Sequence, residues 1–435
     1  MPHSSPLRAT YAQSFRCIGS ACEDTCCQGW SVSIDQASYE KYQRLPASPL
    51  RTLIDASTLT MPQGAKPASF AKIQMNGENQ CPLLTAERLC GIQAELGEGF
   101  LSHTCATYPR IVTSIAGIEE TALLLSCPEA ARLVLLSPTL LSAAEQNDGE
   151  LATATTAAVA SSLLGWFQPI RQVVLALLCN RAYPLWQRLF LLGVFCRRLD
   201  TIASGELQRS VPAFLGDFEA TVASGNLITA MEALPLDRTA QLDVVLRLAG
   251  MLLHRSNVRP RFVECVQVFT AGIGNGAGAT LESLAANCAQ AHDRYYAPFF
   301  ARHPQILENY LINTVVRCRF PFGQEGAQDK RPASMAREYA KLTAQFALLK
   351  GFLIGVAGFH REAFSTIHMV HTVQATSKHF EHHPEFLDLA YELLVESRMD
   401  GARGLAILLR NTEPKPSRPA PPGIYAPAPQ FELYK

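Results

Sequence analysis

The chain has 435 residues, 48% of them hydrophobic, and its 38 basic residues equal its 38 acidic residues in number. This length predicts two or three domains with enough apolar side chains to bury their cores. A formal net charge of zero argues against nucleic acid and against an anionic membrane as partners, because both select broadly basic surfaces. The N-terminus carries no basic and apolar regions of the secretory kind, and no uncharged apolar run reaches the roughly 18 residues of a membrane span. We therefore expect a soluble, cytoplasmic protein.

Cysteine is concentrated in the first third of the chain. The N-terminal cysteines are Cys17, Cys22, Cys26, Cys27, Cys81, Cys90, Cys105 and Cys127. Disulfides do not persist in a reducing cytosol, and the total of 13 cysteines is odd, so a metal or cluster site is favoured over a disulfide framework. The spacing Cys17-x4-Cys22-x3-Cys26-Cys27 lacks the repeated Cys-x2-Cys of zinc ribbons. Zinc and an iron–sulfur cluster therefore both stay open.

The first 130 residues contain only short periodic stretches. Their predicted elements are a helix capped by Asp35, a loop at 57–69, a strand at 71–75 and a short helix at 92–100. So little regular structure is not expected to fold on packing alone, and a metal would stabilise it. We predict that residues 1–130 form an irregular, cysteine-rich metal- or cluster-binding module with short hairpin elements.

From residue 131 onward, Leu and Ala recur at the three- to four-residue spacing of helices. Residues 131–410 are therefore predicted to form a large α-helical domain, which makes the protein mainly α. The predicted helices cover 151–180, 183–204, 236–255, 259–270, 280–300, 305–317, 334–357 and 383–410. The isolated cysteines in these stretches are interpreted as core residues. Prolines between 414 and 429 preclude a helix in the tail 411–435, which we expect to be extended or disordered.

Cys127 immediately precedes a further predicted helix. Pro128 favours the first helical position, and Glu129 favours the first turn. A thiolate at this position would face free backbone N–H groups, so we predict a lowered pKa for Cys127. The alternative is an ordinary, semi-buried cysteine at the start of the helix.

Two other patterns invite a functional interpretation. Gly272–Gly278 is similar to a glycine-rich nucleotide loop, but the apolar residues before it keep helical spacing and no strand–helix alternation surrounds it. We interpret it as a flexible connector between helices. His379, His382 and His383 share one helical face and could form a second metal site, but no HExxH pattern accompanies them. Solvated or capping histidines are the preferred interpretation.

Several longer segments resemble a known family. They are Cys17-Ile-Gly-Ser-Ala-Cys-Glu-Asp-Thr-Cys-Cys-Gln-Gly-Trp30, Cys81-Pro-Leu-Leu84, Leu101-Ser-His-Thr-Cys-Ala-Thr-Tyr-Pro-Arg110, Ser126-Cys-Pro-Glu-Ala-Ala-Arg132 and Leu307-Glu-Asn-Tyr-Leu-Ile-Asn313. In this order they are similar to the flagellin lysine-N-methylases, and the similarity spans most of residues 11–390. The resemblance implies a bacterial enzyme that transfers methyl groups from S-adenosylmethionine to lysine side chains of flagellin and depends on a 4Fe–4S cluster. It makes the eight N-terminal cysteines candidate ligands without deciding which of them bind.

The implied chemistry selects further candidate residues within these motifs. A lysine ammonium, with a pKa of about 10.4, must lose its proton before the amine attacks a sulfonium methyl group. Glu308 and Tyr108 are the candidate catalytic residues, and His103 is another possible base. The candidate cofactor-binding residues are Arg110, Asn309 and Asn313.

The sequence leaves the mechanism and one alternative function open. Three cysteine ligands would leave an iron free to chelate S-adenosylmethionine, whereas four would give a closed cluster. The Cys-x3-Cys-x2-Cys signature of radical enzymes is absent. The alternative is a non-enzymatic zinc- or iron-binding structural or adaptor protein.

Overall fold

The structure is a computed structural model that describes residues 7–62, 66–143, 162–254, 258–323, 334–383 and 385–411. The chain is mainly α-helical, as the sequence predicts. Its α-helices are Gln36–Gln43, Pro49–Ser57, Gly91–Leu96, His103–Thr107, Pro128–Leu136, Phe167–Cys179, Leu185–Asp200, Leu207–Ser224, Ile228–Glu232, Arg238–Leu253, Pro260–Gly272, Leu281–Ala291, Ala297–Arg302, Gln305–Arg317, Met335–His360, Thr366–Glu381, Glu385–Glu396 and Ala402–Leu409. A π-helical segment, His292–Tyr296, joins two of them. Short 3-10 helices cover Tyr11–Ser14, Gly19–Ala21, Pro67–Ser69, Glu98–Phe100, Leu163–Trp166, Ser204–Glu206 and Arg361–Ala363.

The strands form three small antiparallel sheets. Leu7–Ala9 pairs with Leu141–Ala143, and Ala71–Ile73 lies between Ser33–Ile34 and Thr58–Thr60. The third sheet is a hairpin of Arg110–Ile115 and Ile118–Leu123, in which Ile115 pairs with Ile118 across a two-residue turn. Both turn residues have positive φ, which suits the right-handed twist of a hairpin.

The helix and strand predictions for the N-terminal residues agree with the structure, and the loop prediction does not. Asp35 caps its helix by accepting a hydrogen bond from Ser38 N at 2.9 Å. The predicted strand is present at 71–73. The predicted loop at 57–69 is wrong at its start. The β-branched Thr58 and Thr60 belong to a strand, Thr58–Thr60, which pairs with the strand Ala71–Ile73.

A long helix, Met335–His360, is the centre of the helical body and is called the central helix below. It packs against Pro260–Gly272, Leu185–Asp200 and Glu385–Glu396. It is long and apolar enough to cross a membrane by composition, but 83% of its most apolar stretch is buried inside the protein. Burial on several sides is typical of a core helix, which explains its apolar character.

The predicted helices of the body are present with two kinds of difference. Gln305–Arg317 has the predicted bounds, whereas 383–410 is two helices separated at 397–401, where Arg398 adopts a positive φ of 54°. Leu207–Ser224 and Thr366–Glu381 were not predicted. The first part of the predicted helix 151–180 lies outside the described residues, as does the proline-rich tail beyond Asn411.

The buried hydrophobic side chains that the structure describes form two separate cores. The small core lies within the cysteine-rich part and contains Val32, Ile34 and Tyr42, among others. The large core fills the helical body and also takes in Tyr11 and Leu123. The predicted domain boundary at residue 130 stays a prediction, and side chains from both sides of it pack in the large core.

The glycine-rich segment Gly272–Gly278 connects two helices, as predicted. It follows Pro260–Gly272 and precedes Leu281–Ala291, so no strand leads into it. The helix before it touches the central helix backbone to backbone: a Cβ on Gly272 would lie 1.8 Å from Gly355 O. These residues therefore serve close helix packing.

This close contact can be tested with a pair of glycine substitutions. A Cβ on Gly355 would lie 2.4 Å from the Phe269 ring and 2.7 Å from Phe269 O, so Gly355→Ala should destabilise the protein by about 1–3 kcal/mol through overpacking. Gly216→Ala is the matched control, because no atom of the described residues lies within 4 Å of the added Cβ and alanine favours a helix by roughly 0.5–1 kcal/mol. The measurement is the thermal unfolding midpoint. Equal midpoints for the two variants would contradict the packing described here.

Candidate functional site

Five of the eight N-terminal cysteines line one cavity of about 70 Å³, called the cysteine cavity below. They are Cys26, Cys27, Cys81, Cys90 and Cys105. Their neighbours in the wall include Trp30, Tyr42, Leu83, Ile92 and Tyr108. The structure thus brings together thiols from four separate places in the sequence, with aromatic and aliphatic side chains around them.

Local backbone contacts hold these cysteines in place. Cys81 N donates a 2.7 Å hydrogen bond to Cys27 O, which fixes the two loops side by side. Cys90 is the residue before helix Gly91–Leu96, and Cys105 lies in the short helix His103–Thr107. Cys81 is buried, whereas Cys26 and Cys105 are exposed, so the cavity reaches the surface at the latter two residues.

The thiols influence one another and their surroundings. The hydrogen bond between Cys26 and Cys27 lowers the pKa of Cys26, with help from the Lys378 ammonium, and raises that of Cys27. Burial raises the pKa of Cys81 to about 11. Most of these thiols are therefore protonated at neutral pH until a metal replaces the proton. Within the described ranges, no three His, Cys, Asp or Glu side chains are grouped as a metal-ion site.

The other three cysteines lie outside the wall of the cysteine cavity. Cys17 is exposed, Cys22 is half-buried and Cys127 is buried. Cys127 directly precedes helix Pro128–Leu136, as predicted, but the predicted lowering of its pKa is wrong. Burial raises the pKa of Cys127 to about 12, which outweighs the opposite effect of the backbone N–H groups of Glu129 and Ala130.

The helix Thr366–Glu381, called the bridging helix below, joins the segment Cys17–Trp30, called the cysteine loop below, to the body. Lys378 Nζ lies 2.7 Å from Asp24 Oδ2 and donates to Thr25 O at 3.0 Å. Gln374 donates to the same carboxylate at 2.7 Å and to Ser126 O at 2.9 Å. Because Asp24 and Lys378 are both nearly buried, each needs the other to offset its lost hydration.

The end of the bridging helix holds the segment before Cys127. Glu381 accepts hydrogen bonds from Leu125 N at 3.0 Å and Ser126 N at 2.8 Å, and Arg317 lies 3.6 Å from it. This carboxylate therefore accepts the hydrogen bonds that backbone carbonyls would otherwise accept from these two N–H groups. It fixes the path of the chain from the hairpin to Cys127.

His382 completes this contact beside the cysteine cavity. Its ring stacks on Trp30 with centroids 5.2 Å apart, and its Nε2 lies 3.0 Å from Ser126 Oγ. Tyr108 OH lies 3.2 Å from the same hydroxyl. Burial lowers the pKa of His382 to about 4 and raises that of Tyr108 well above its ordinary value. Both groups are neutral at pH 7, and they can position a substrate by hydrogen bonding.

Of the two candidate catalytic residues, the structure places Tyr108 at the cysteine cavity and Glu308 elsewhere. Glu308 is buried on helix Gln305–Arg317, and its oxygens accept from Arg181 at 2.9 and 3.0 Å and from Arg188 at 2.8 Å. An incoming amine would have to displace an arginine to reach it. Its role as a base stays a prediction.

The candidate cofactor residues all bond to the protein's own groups. Arg110 donates to Ala12 O and Phe15 O at 3.2 and 2.8 Å. Asn309 donates to two carbonyls at the end of helix Pro128–Leu136, and Asn313 exchanges two hydrogen bonds with the backbone of Leu123. The two asparagines share one helical face, as predicted. That face holds neighbouring segments to the helix Gln305–Arg317, and cofactor binding stays a prediction.

His103 and His379 have structural roles, and His382 lies at the end of the bridging helix. His103 is exposed and begins a short helix, with its backbone N–H donating to Asp35 at 2.8 Å. His379 is 2% exposed and packs on Phe262 with centroids 4.3 Å apart, so the prediction of a solvated histidine is wrong there. His382 follows the last helical residue, in agreement with the capping interpretation.

Sequence reasoning missed the residues that join the two parts. They are Asp24, Ser126, Gln374, Lys378 and Glu381. Asp24 lies inside the Cys17–Trp30 motif, and this position could have indicated that it has a role at the site. Ser126 begins another of the motifs, whereas Gln374, Lys378 and Glu381 belong to none of them, and only the fold reveals that these residues converge.

The fold and the site together define a mainly helical protein with a thiol-lined cavity held against its body. Residues 171–408, more than half of the chain, match the family described as the FliB lysine N-methylase C-terminal domain. The chain belongs to the FliB lysine N-methylase family, and the resemblance stated from the motifs is confirmed.

Individual relatives agree with this family. A lysine-N-methylase of Salmonella typhimurium (strain LT2) is 26% identical over 301 residues, which are 65% of this chain and 72% of that protein. The lysine-N-methylase of Salmonella choleraesuis (strain SC-B67) is equally similar over the same shares. The flagellar biosynthetic protein FliU of Salmonella muenchen is 30% identical over 137 residues, 32% of this chain and 80% of that protein. No solved structure matches the chain significantly.

The bridging ion pair gives a direct test of how the cysteine loop is held. Lys378→Met leaves Asp24 buried without its cation, and breaking such a pair costs about 3–5 kcal/mol. We expect a lowered unfolding midpoint and, because the predicted metal ligands Cys26 and Cys27 closely follow Asp24 in the chain, a lower metal content per chain.

Lys341→Met is the matched control. It removes the ion pairs of Lys341 with Glu338 on the central helix and with Asp388 on helix Glu385–Glu396, and none of these residues lines the cysteine cavity. It should leave the metal content per chain unchanged. A Lys378→Met protein with wild-type metal content would show that the bridging helix does not position the cysteine loop.

Proposed function

We propose that this protein is an S-adenosylmethionine-dependent lysine N-methyltransferase that acts on flagellin in the cytoplasm and requires a 4Fe–4S cluster. Membership of the lysine N-methylase family supports the methyl transfer. The names of the relatives, which include a flagellar biosynthetic protein, support flagellin as the substrate.

The cluster requirement rests mainly on the five cysteines around one cavity. A single zinc ion needs its sulfur ligands to converge at about 2.3 Å from the metal. A multi-atom cluster instead takes thiolates from around a volume. Five thiols offer one more than the four ligands of a closed cluster. Cys26, Cys27, Cys81, Cys90 and Cys105 are therefore the proposed ligand set.

A bound cluster would supply a rigid crosslink between the loops and a redox centre. The protein's own groups would position the substrate beside it. Trp30, Tyr108 and His382 form an aromatic surface in which the histidine and the phenol are neutral. A lysine ammonium that enters such surroundings loses hydration, which lowers its pKa and favours the nucleophilic amine.

One observation favours the alternative of a non-enzymatic, zinc-binding structural or adaptor protein. The candidate residues Glu308, Asn309 and Asn313 are all engaged in holding the fold. A purely structural protein would need these contacts and no catalytic group.

Serine substitutions at the cysteines test the proposed ligand set. Cys27→Ser and Cys81→Ser should lower bound iron and the methylation of flagellin by at least about 10-fold, a loss seen even for residues behind the ligands of a metal site. Cys17→Ser and Cys179→Ser, both outside the cysteine cavity, should keep iron and activity. The measurements are iron per chain after anaerobic purification and transfer of labelled methyl groups to flagellin.

The outcomes separate the two functions. Full iron in Cys27→Ser and Cys81→Ser would remove the cysteine cavity as the cluster site. Zinc in place of iron, together with no methylation by the wild-type protein, would favour the structural alternative.

A further inference from the structure

A second cavity, of about 160 Å³, lies next to the cysteine loop and is called the basic recess below. It is lined by Asp24, Gln28, Arg259, Pro260, Arg261, Phe262, Gln374, Ala375 and Lys378. Lys378 connects it to the cysteine cavity, because its Nζ donates to the carbonyl of Thr25, the residue before Cys26. Neither the family match nor the candidate site residues account for this recess.

The recess is electropositive. Arg259, Arg261 and Lys378 contribute three cations to its wall, against the single carboxylate of Asp24. The helix Pro260–Gly272 also begins here, without an acidic residue in its first turn. The free N–H groups at the start of a helix add positive potential. Such a wall attracts a carboxylate or another small anion.

Several polar atoms of the recess have no hydrogen-bond partner within the described part of the chain. They are Arg259 Nη2, Arg261 Nε and Gln374 Oε1. Gln374 is fully buried. Its amide nitrogen donates to Asp24 and Ser126, whereas its Oε1 is one of the atoms without a partner. A buried donor or acceptor without a partner costs roughly 1–3 kcal/mol, so a ligand that pairs with these atoms would be favoured.

Arg259 owes its position to a glycine. A Cβ on Gly29 would lie 1.2 Å from Arg259 Nη2, so only glycine leaves room for the guanidinium at this place. Gly29 belongs to the same motif as the cysteines of the loop. The sequence Cys26-Cys27-Gln28-Gly29 thus provides thiols to one cavity and space for an arginine beside the other.

We propose that the basic recess binds the amino-acid end of S-adenosylmethionine, with Arg259 and Arg261 at its carboxylate and Gln374 Oε1 and Asp24 at its ammonium group. This inference rests on the proposed function. Three cations, one carboxylate and one free amide oxygen match a zwitterion better than a simple anion. The volume suits such a head group and is too small for the adenosine part, since whole small-molecule sites occupy about 300–1,000 Å³.

The larger cleft of about 510 Å³ near Arg110 is a weaker candidate for this head group. Its cations are engaged with the protein itself: Arg110 donates to Ala12 O and Phe15 O, and Arg171 pairs with Glu120 at 2.8 Å. A carboxylate would have to displace those partners. In the basic recess Lys378 pairs with Asp24 and Arg261 Nη1 donates to Glu23 O, but Arg259 Nη2 and Arg261 Nε have no partner among the described residues and would give none up.

Two probes that differ in the amino-acid end test the assignment. The full-length protein is titrated with S-adenosylhomocysteine, which has this end, and with 5′-methylthioadenosine, which lacks it. Arg259→Met should weaken binding of S-adenosylhomocysteine by about 10- to 100-fold, the range for a lost charge-assisted hydrogen bond. It should leave the affinity for 5′-methylthioadenosine unchanged, which also shows that the variant is folded.

Two further variants complete the design. Arg209→Met replaces an exposed arginine on helix Leu207–Ser224 and should alter neither affinity. Should Arg259→Met not fold, Arg261→Met makes the same test from the same end of the helix.

The remaining outcomes would contradict either the head-group site alone or the proposed function as well. Unchanged affinity for S-adenosylhomocysteine, or equal weakening for both probes, would reject the recess as the head-group site and leave the proposed function intact. No binding of S-adenosylhomocysteine by the wild-type protein would reject both.

Discussion

The buried contact between the cysteine loop and the bridging helix Thr366–Glu381 is the interaction on which the site depends. Asp24 and Lys378 are each nearly buried and lie 2.7 Å apart. Two such charges are stable inside a protein only together and with further hydrogen bonds, which Gln374 and Thr25 supply. The loop that carries Cys26 and Cys27 is therefore placed by a helix some 350 residues away in the sequence.

This contact explains how an irregular segment can present a defined cavity. The cysteine-rich part has its own small core, but Cys26 and Cys105 lie exposed at its edge. Glu381 and His382 hold the segment before Cys127 and the ring of Trp30 from the other side. The cysteine cavity is thus set by the small core and by the helical body together. A metal bound there would add a further crosslink between the loops.

The sequence predicted the parts of the fold whose pattern follows from burial on one side. Gln305–Arg317 has the predicted bounds because its apolar residues keep helical spacing. The sequence did not predict the bridging helix, because many of its own polar side chains are buried. Less than 9% of each is exposed for Thr372, Gln374, Thr376 and Lys378. Such a helix does not separate an apolar face from a polar face, so its sequence lacks the 3.6-residue hydrophobic periodicity that predicts a helix.

The candidate site was predictable to a similar extent. The cysteine motif drew attention to the right loop, but spacing alone could not separate the five cavity cysteines from Cys17, Cys22 and Cys127. Glu308 and Asn313 attracted a functional interpretation as polar residues in a matching motif. In the structure their partners are arginines and backbone groups from distant segments, which no local pattern reveals.

We propose that the cysteine cavity holds an iron–sulfur cluster, and this binding can be measured directly. The most direct measurement is the metal content and visible spectrum of the wild-type protein, purified without air and examined before and after dithionite. With a 4Fe–4S cluster in the cavity, we expect about four irons per chain and a broad visible absorption that bleaches on reduction. Colourless protein with one or two zinc ions per chain would contradict this proposal, because zinc is d¹⁰ and has no redox chemistry.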